Sequence, residues 1–189
     1  AEAGDTILAV QAPKGERHLV RLVTYLEGVP LGAVRRRSPG LWHELGACLG
    51  RVDRALASFD HPAIHRDFHW DLANGARIVR GHGPLIADAR VRAMGESLAA
   101  RCERDLAPLL PALRMSAVYN DANDYNVLAG GGDNLYDRNQ HVTGLIDFGD
   151  MVHSFTVADP AIAIAYAVLD QPDPLRVAVQ IVQGYHAEY

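Results

Sequence analysis

Residues 115–150 constrain the fold of this chain more than any other stretch. Three short apolar runs, 115–119, 126–129 and 142–146, read as strands. The polar, glycine-rich segment 130–141 between the last two reads as a long hairpin loop. Helical signals flank this region on both sides. Ser38 followed by Pro39 supplies an N-cap and a first-turn proline. Leu41, Leu45, Cys48, Leu49, Val52 and Leu56 then recur with helical spacing, which predicts an amphipathic helix over 39–58. The connection 60–83 reads as irregular apart from a short helix around 68–76. A long helix is expected over 84–109, ended near Pro108 and Pro111. An apolar helix over 161–169 follows Asp159-Pro160, and a terminal helix covers 175–187. At the other end, 6–12 and 18–26 flank the turn-like 13–16 and predict a β-hairpin, closed by a second turn signal at 27–30. The order of β-piece, helices, small hairpin and helices is an α+β arrangement.

Composition removes several function classes. The 189 residues fit one domain, or one domain and a fragment of another. No run of about 18 apolar residues exists, so no membrane-spanning segment is expected. The start of the chain has neither an initiator Met nor a secretory signal pattern. That suggests a chain processed or excised from something longer and joined to further domains. Cys48 and Cys102 are too few for a disulfide framework or a four-cysteine zinc site, which points to reduced thiols in a cytoplasmic setting. Residues 1–95 hold 13 basic and 10 acidic side chains, whereas residues 96–189 hold 5 and 13. An acidic second half disfavours nucleic acid, whose phosphates need clustered cations, and suits a metal ion or a cationic small substrate.

Two stretches have the look of a phosphoryl-transfer loop, in which one Asp takes the hydroxyl proton and an Asn five residues later holds the metal. His65-Arg66-Asp67 spells a familiar triplet, but five residues past Asp67 stands Leu72, and no metal-binding Asp follows on a hairpin strand. It is a decoy. In Val118-Tyr119-Asn120-Asp121-Ala122-Asn123-Asp124-Tyr125-Asn126, by contrast, Asp121 and Asn126 have the required separation. A strand, a hairpin loop and Ile146-Asp147-Phe148-Gly149 follow, with Asp147 at a strand end.

The joined set of Asp121, Asn126, Asp147 and the downstream Asp159-Pro160-Ala161 resembles the aminoglycoside phosphotransferase and choline kinase family, whose fold is similar to that of protein kinases. Val20 through Gly28 looks like that family's last N-lobe strand and hinge. The resemblance implies a hinge and incomplete N-lobe over 1–28 and a helical C-terminal lobe with a catalytic hairpin over 29–189. It implies Asp121 as catalytic base, Asn126 and Asp147 as Mg²⁺ ligands, and ATP as co-substrate. The backbone at Thr24, Tyr25 and Leu26 would contact adenine, and Tyr119 and Asp159 would support the loop. Where the family has His-Gly-Asp, this chain has Tyr119-Asn120-Asp121. Tyr119 would replace the His by packing and one hydrogen bond, and Asn120 suits the place if its backbone avoids a glycine-only conformation. The loop sequence looks most like kinase-like domains fused to class III aminotransferases and like hydroxylysine-type kinases. That implies a small-molecule hydroxyl acceptor, an amino alcohol, hydroxy amino acid or aminoglycoside, with Asn123, Asp124 and Asp150 on the acceptor side.

Other features compete. The family's phosphate-gripping Lys has no counterpart, because Lys14 is the only lysine and sits in a turn. Gly130-Gly131-Gly132 opens no helix and so cannot cradle phosphate. His61, His65 and His69 recur every four residues among Asp60, Asp67 and Asp71, the spacing of a zinc or manganese site on a helix, but Pro62 interrupts the turn. They read as surface or bracing histidines, with a metal-dependent hydrolase as the rival. Trp70 is expected to anchor this connection on the helical core. A non-catalytic kinase-like binding or scaffolding module in a multidomain protein is the other alternative to a small-molecule kinase.

Overall fold

The Ser38 hydroxyl accepts the N–H of Leu41 at 3.1 Å and starts helix α1, Pro39–Leu56. In the computed structural model, which describes residues 7–189, this helix buries Leu41, Trp42, Leu45 and Leu49. Thr6, expected in the first strand, lies outside the described residues, as does the rest of 1–6 of the proposed first domain. The terminal helix, Pro174–Glu188, begins with Asp173 accepting the N–H of Arg176 at 3.0 Å and packs along α1. The two approach at glycines. A Cβ on Gly46 would stand 1.9 Å from the carbonyl oxygen of Ile181, and one on Gly184 would stand 1.9 Å from that of His43. Glycine costs a helix interior about 1 kcal/mol relative to alanine; here it lets two backbones touch.

Among the described residues the strands form three small antiparallel sheets. β1, Leu8–Gln11, pairs with β2, Arg17–Val20. β3, Val29–Pro30, pairs with β5, Val127–Gly130, which also pairs with β6, His141–Leu145. β4, Met115–Val118, pairs with β7, Val152–Phe155, so that Val118 lies opposite Val152. The core joins Leu31, Tyr119, Val127, Ala129 and Leu145 to the apolar faces of α1 and the terminal helix. Every residue of β5 is buried, and the turn that leads into it rests on this core.

Several boundaries differ from the sequence expectation for local reasons. The helix expected over 84–109 is α3, Ala89–Arg101, followed by one π-turn, Cys102–Leu106. Asp88 sets its start by accepting the N–H groups of Arg90 at 2.8 Å and Val91 at 3.1 Å. The short helix near 68–76 is a 3₁₀ turn, Leu72–Asn74, running into α2, Gly75–His82, which the glycines had concealed. β3 falls where a turn was expected, and β7 was not expected. α4, Ala158–Ala167, begins three residues earlier than expected, with Pro160 tolerated in its first turn. The second hairpin strand ends at Val20, so Thr24, Tyr25 and Leu26 lie outside any strand. Numbered in order, the terminal helix is α5.

The glycine contact predicts opposite outcomes for two alanine substitutions. Gly184→Ala must push α1 and α5 apart and is expected to cost about 1–3 kcal/mol, the usual range for overpacking. Gly81→Ala meets nothing within 4 Å and should gain roughly 0.5–1 kcal/mol. Urea denaturation reads both. Equal effects at the two sites would contradict the close helix approach.

Candidate active site

β4 runs buried to Val118, and the chain must then turn sharply to reach solvent. The turn is made at Asn120, whose φ of 67° lies in the left-handed region. Asn tolerates that region better than most residues with a Cβ. Asn120 therefore takes a conformation that favours glycine but that asparagine can also adopt, and the exchange for the family's Gly is tolerated. Asp159, in the first turn of α4, fixes the turn from below. Its carboxylate accepts the N–H of Tyr119 at 2.8 Å and that of Asn120 at 2.6 Å, with no exposure to solvent. The Asn120 amide then donates to the Asp150 carbonyl at 3.2 Å, tying the turn to the segment after β6.

Asp121 emerges next, held by two carboxamides. Asn123 donates to its Oδ1 at 2.8 Å and Asn126 to its Oδ2 at 2.6 Å. Asn123 also accepts the N–H groups of Tyr125 at 2.8 Å and Asn126 at 3.1 Å, which folds the loop back into β5. Burial raises the Asp121 carboxyl above the ordinary carboxylate range; the Asn123 bond opposes this, and the Asp150 charge adds to it. Asn126 lowers it and the Asp147 charge raises it by smaller amounts. The Ile146 N–H donates to the Asn126 carbonyl at 3.0 Å, and the Tyr119 hydroxyl donates to the Ile146 carbonyl. The Tyr119 ring packs on Phe148 with centroids 4.8 Å apart, and burial, then the Asp121, Asp147 and Asp159 charges, keeps its phenol protonated. Asp147 thus leaves β6 beside the loop, with φ of 58° and one bond from the Gly149 N–H at 3.2 Å.

The donor set suits a hard divalent cation. Asn126 commits its amide nitrogen to Asp121, and its amide oxygen enters no hydrogen bond among the described residues. That oxygen and the Asp147 carboxylate would offer Mg²⁺ the all-oxygen ligands it takes, with water and phosphate completing its shell. No group of three or more His, Cys, Asp or Glu converges on a metal position among the described residues. His61 accepts the Ala63 N–H, His65 pairs with Asp60 at 2.5 Å and stacks on His153, and His69 packs against Trp70. The three histidines therefore serve separate local partners.

A cavity of about 320 Å³ opens beside Asp121, lined by Trp70, Leu72, Asp150, Ile162 and Tyr166 among others. Trp70 is 66% exposed at its rim, so it does not serve as the expected anchor of its connection on the helical core. Of the residues expected on the acceptor side, Asp150 lines this cavity. Asn123 turns inward to Asp121, and Asp124 lies against Gly32, whose N–H it accepts through its carbonyl at 2.8 Å. Leu26 covers Gly144 of β6, so the 24–26 segment crosses the hairpin that carries Asp147; Tyr25 is exposed. Arg66, part of the decoy triplet, donates to the carbonyls of Gly149 at 2.9 Å and Met151 at 3.3 Å. Asp53, fully buried on α1, accepts the Tyr185 hydroxyl at 2.5 Å and faces Asp159. Its signal was visible: a carboxylate on the buried face of an amphipathic helix, one turn beyond Leu49.

A hydroxylysine kinase of Mus musculus is 29% identical over 188 residues, taking in 96% of this chain and 50% of its own length. The chain spans about half the length of the curated relatives it matches. A microcompartment-associated aminopropanol kinase superposes with a TM-score of 0.64 at 18% identity, over 98% of this chain and 56% of that one. An amicoumacin kinase solved with AMP-PNP and Ca²⁺ gives 0.59 at 15%, over 98% and 54%. Likeness at these identities shows the fold, which is α+β and kinase-like. The model of the phosphotransferase enzyme family (APH) matches residues 5–189, nearly the whole sequence, and the chain belongs to that family.

Proposed function

We propose that this chain carries the catalytic part of an ATP-dependent small-molecule kinase that phosphorylates a hydroxyl on an ammonium-bearing acceptor. The observation that carries this is the stitching of Asp121, Asn126 and the end of β6 into one turn by side-chain and backbone hydrogen bonds. Phosphoryl transfer needs little covalent chemistry from the protein, so positioning of this kind is its main contribution. Residues 29–189 would be the C-terminal lobe, and 1–28 the last strands and hinge of the N-terminal lobe, with Thr24, Tyr25 and Leu26 meeting adenine. Lys14 lies in the exposed turn between β1 and β2 and is given no phosphate role.

In the reaction, the acceptor O–H bond breaks as a new O–P bond forms, and the bond from the γ-phosphorus to the ADP oxygen breaks on the opposite side. Asp121 takes the hydroxyl proton; its raised affinity for protons strengthens it as a base. Asn123 and Asn126 aim its carboxylate. Asn126 and Asp147 would hold Mg²⁺, whose charge offsets that of the phosphate oxygens when it is bound. Tyr119 and Asp159 keep the loop backbone in place beneath Asp121. Trp70 and Tyr166 would flank the acceptor, and Asp150 would face its ammonium group, an arrangement suited to amino alcohols and hydroxy amino acids.

Two measurements on the full-length protein test this. Asp121→Asn should lower kcat for acceptor-dependent ADP release by about 10²–10⁴-fold without changing the denaturation midpoint greatly. Undiminished turnover would remove Asp121 as the base, and a wild type without acceptor-dependent ADP release would favour the non-catalytic module. Trp70→Ala should raise KM for an amino alcohol roughly 3–30-fold, the range of a cation–π contact, and leave KM for ATP alone. A change confined to ATP would contradict the acceptor position.

A further inference from the structure

We propose that Asp53 is a positioning residue of the catalytic loop: it holds a proton shared with Asp159, and the pair, rather than Asp159 alone, keeps the loop backbone in its working position. Both side chains are fully buried. Asp159 has spent its oxygens on the N–H groups of Tyr119 and Asn120. Asp53 Oδ2 accepts from Tyr185, while Asp53 Oδ1 is buried without a hydrogen-bond partner. The open oxygen thus belongs to the residue that faces Asp159.

Among the described residues no cation bears on the two carboxyls. Arg51 and Arg54, on the same helix as Asp53, reach outward to Glu188 at 3.2 and 3.0 Å. From the elements packed around the pair, the titratable groups that bear on it are Asp159 of α4, Tyr185 of α5 and, on the loop side, Tyr119. None of these carries positive charge. Two adjacent buried anions without a cation would be strongly disfavoured by desolvation and mutual repulsion. One proton converts the repulsion into a charge-assisted O–H···O⁻ bond. The charge settles on Asp159, where two N–H groups stabilise it, and the proton on Asp53.

The pH dependence follows from the sign of the shift. Burial, then the bond to Asp159 and its charge, pushes the Asp53 carboxyl up to about 8, against about 4 in an unfolded chain. A group raised on folding contributes its full stability below the unfolded value and loses it as pH rises through the folded one. The pair should therefore be strongest in mild acid and weaken between about pH 4 and pH 8.

The inference rests on the proposed role of residues 119–126 only for its kinetic arm. The test uses the full-length protein, with Asp53→Asn and Asp53→Leu. The carboxamide of Asp53→Asn donates to Asp159 without titrating; the side chain of Asp53→Leu cannot donate. Wild type should lose urea stability as pH rises from 5 to 8, and Asp53→Asn should flatten that slope while keeping kcat within about threefold. Asp53→Leu should lower kcat about 10–100-fold, as a displaced catalytic group does, with KM for ATP little changed. A wild-type slope retained in Asp53→Asn would overturn the shared proton, and so would an Asp53→Asn protein as impaired as Asp53→Leu. Should Asp53→Leu not fold, the pH slopes of the other two decide. Should wild type show no phosphotransfer, the proposed function fails and the slopes still judge the proton.

Discussion

The Asp159 carboxylate accepts two consecutive backbone N–H groups, those of Tyr119 and Asn120, at 2.8 and 2.6 Å in a fully buried setting. The rest of the candidate site depends on that bond pair. It absorbs the donors freed where β4 stops pairing with β7, and it holds Asn120 in a left-handed conformation that an L-residue avoids unaided. From the fixed turn, Asp121 projects toward the cavity, Asn126 follows at the start of β5, and Ile146 joins β6 to the same loop. A carboxylate at a helix start suits the partial positive charge there, so α4 supports its own anchor.

The frame that carries Asp159 is the α1–α5 pair. Gly46 and Gly184 bring the two backbones into contact, and the approach sets Tyr185 of α5 against Asp53 of α1. Polar groups this deep are retained only with partners, which links the helix contact to the loop above it. Across the site, Arg66 grips the carbonyls of Gly149 and Met151, and the Asn120 side chain grips that of Asp150. The segment after β6 is thus fastened at three consecutive carbonyls, 149–151, although it has no regular structure.

What could be read from the residues was local or strictly spaced. The Ser38-Pro39 start of α1, the strands β4 to β6 and the separation of Asp121 from Asn126 all follow from adjacent residues. What escaped depended on distant partners. β7 is a strand because β4 lies beside it, and β3 because β5 does. α2 was hidden by Gly75 and Gly81, whose low helix propensity tertiary context overrides. Trp70 reads as an anchor of its connection on the helical core, whereas its place beside the cavity depends on α4, far along the chain. Arg66 was set aside with its triplet, since no spacing rule connects it to the carbonyls it holds 83 and 85 residues later.

As proposed, Asn126 and Asp147 form one cation site served by the Asp121 loop. Electron paramagnetic resonance of Mn²⁺ added with ATP to the full-length protein tests it directly. The account predicts a protein-bound, nucleotide-dependent Mn²⁺ signal that is lost in both Asn126→Ala and Asp147→Ala. A bound signal that survives unchanged in both variants would contradict it.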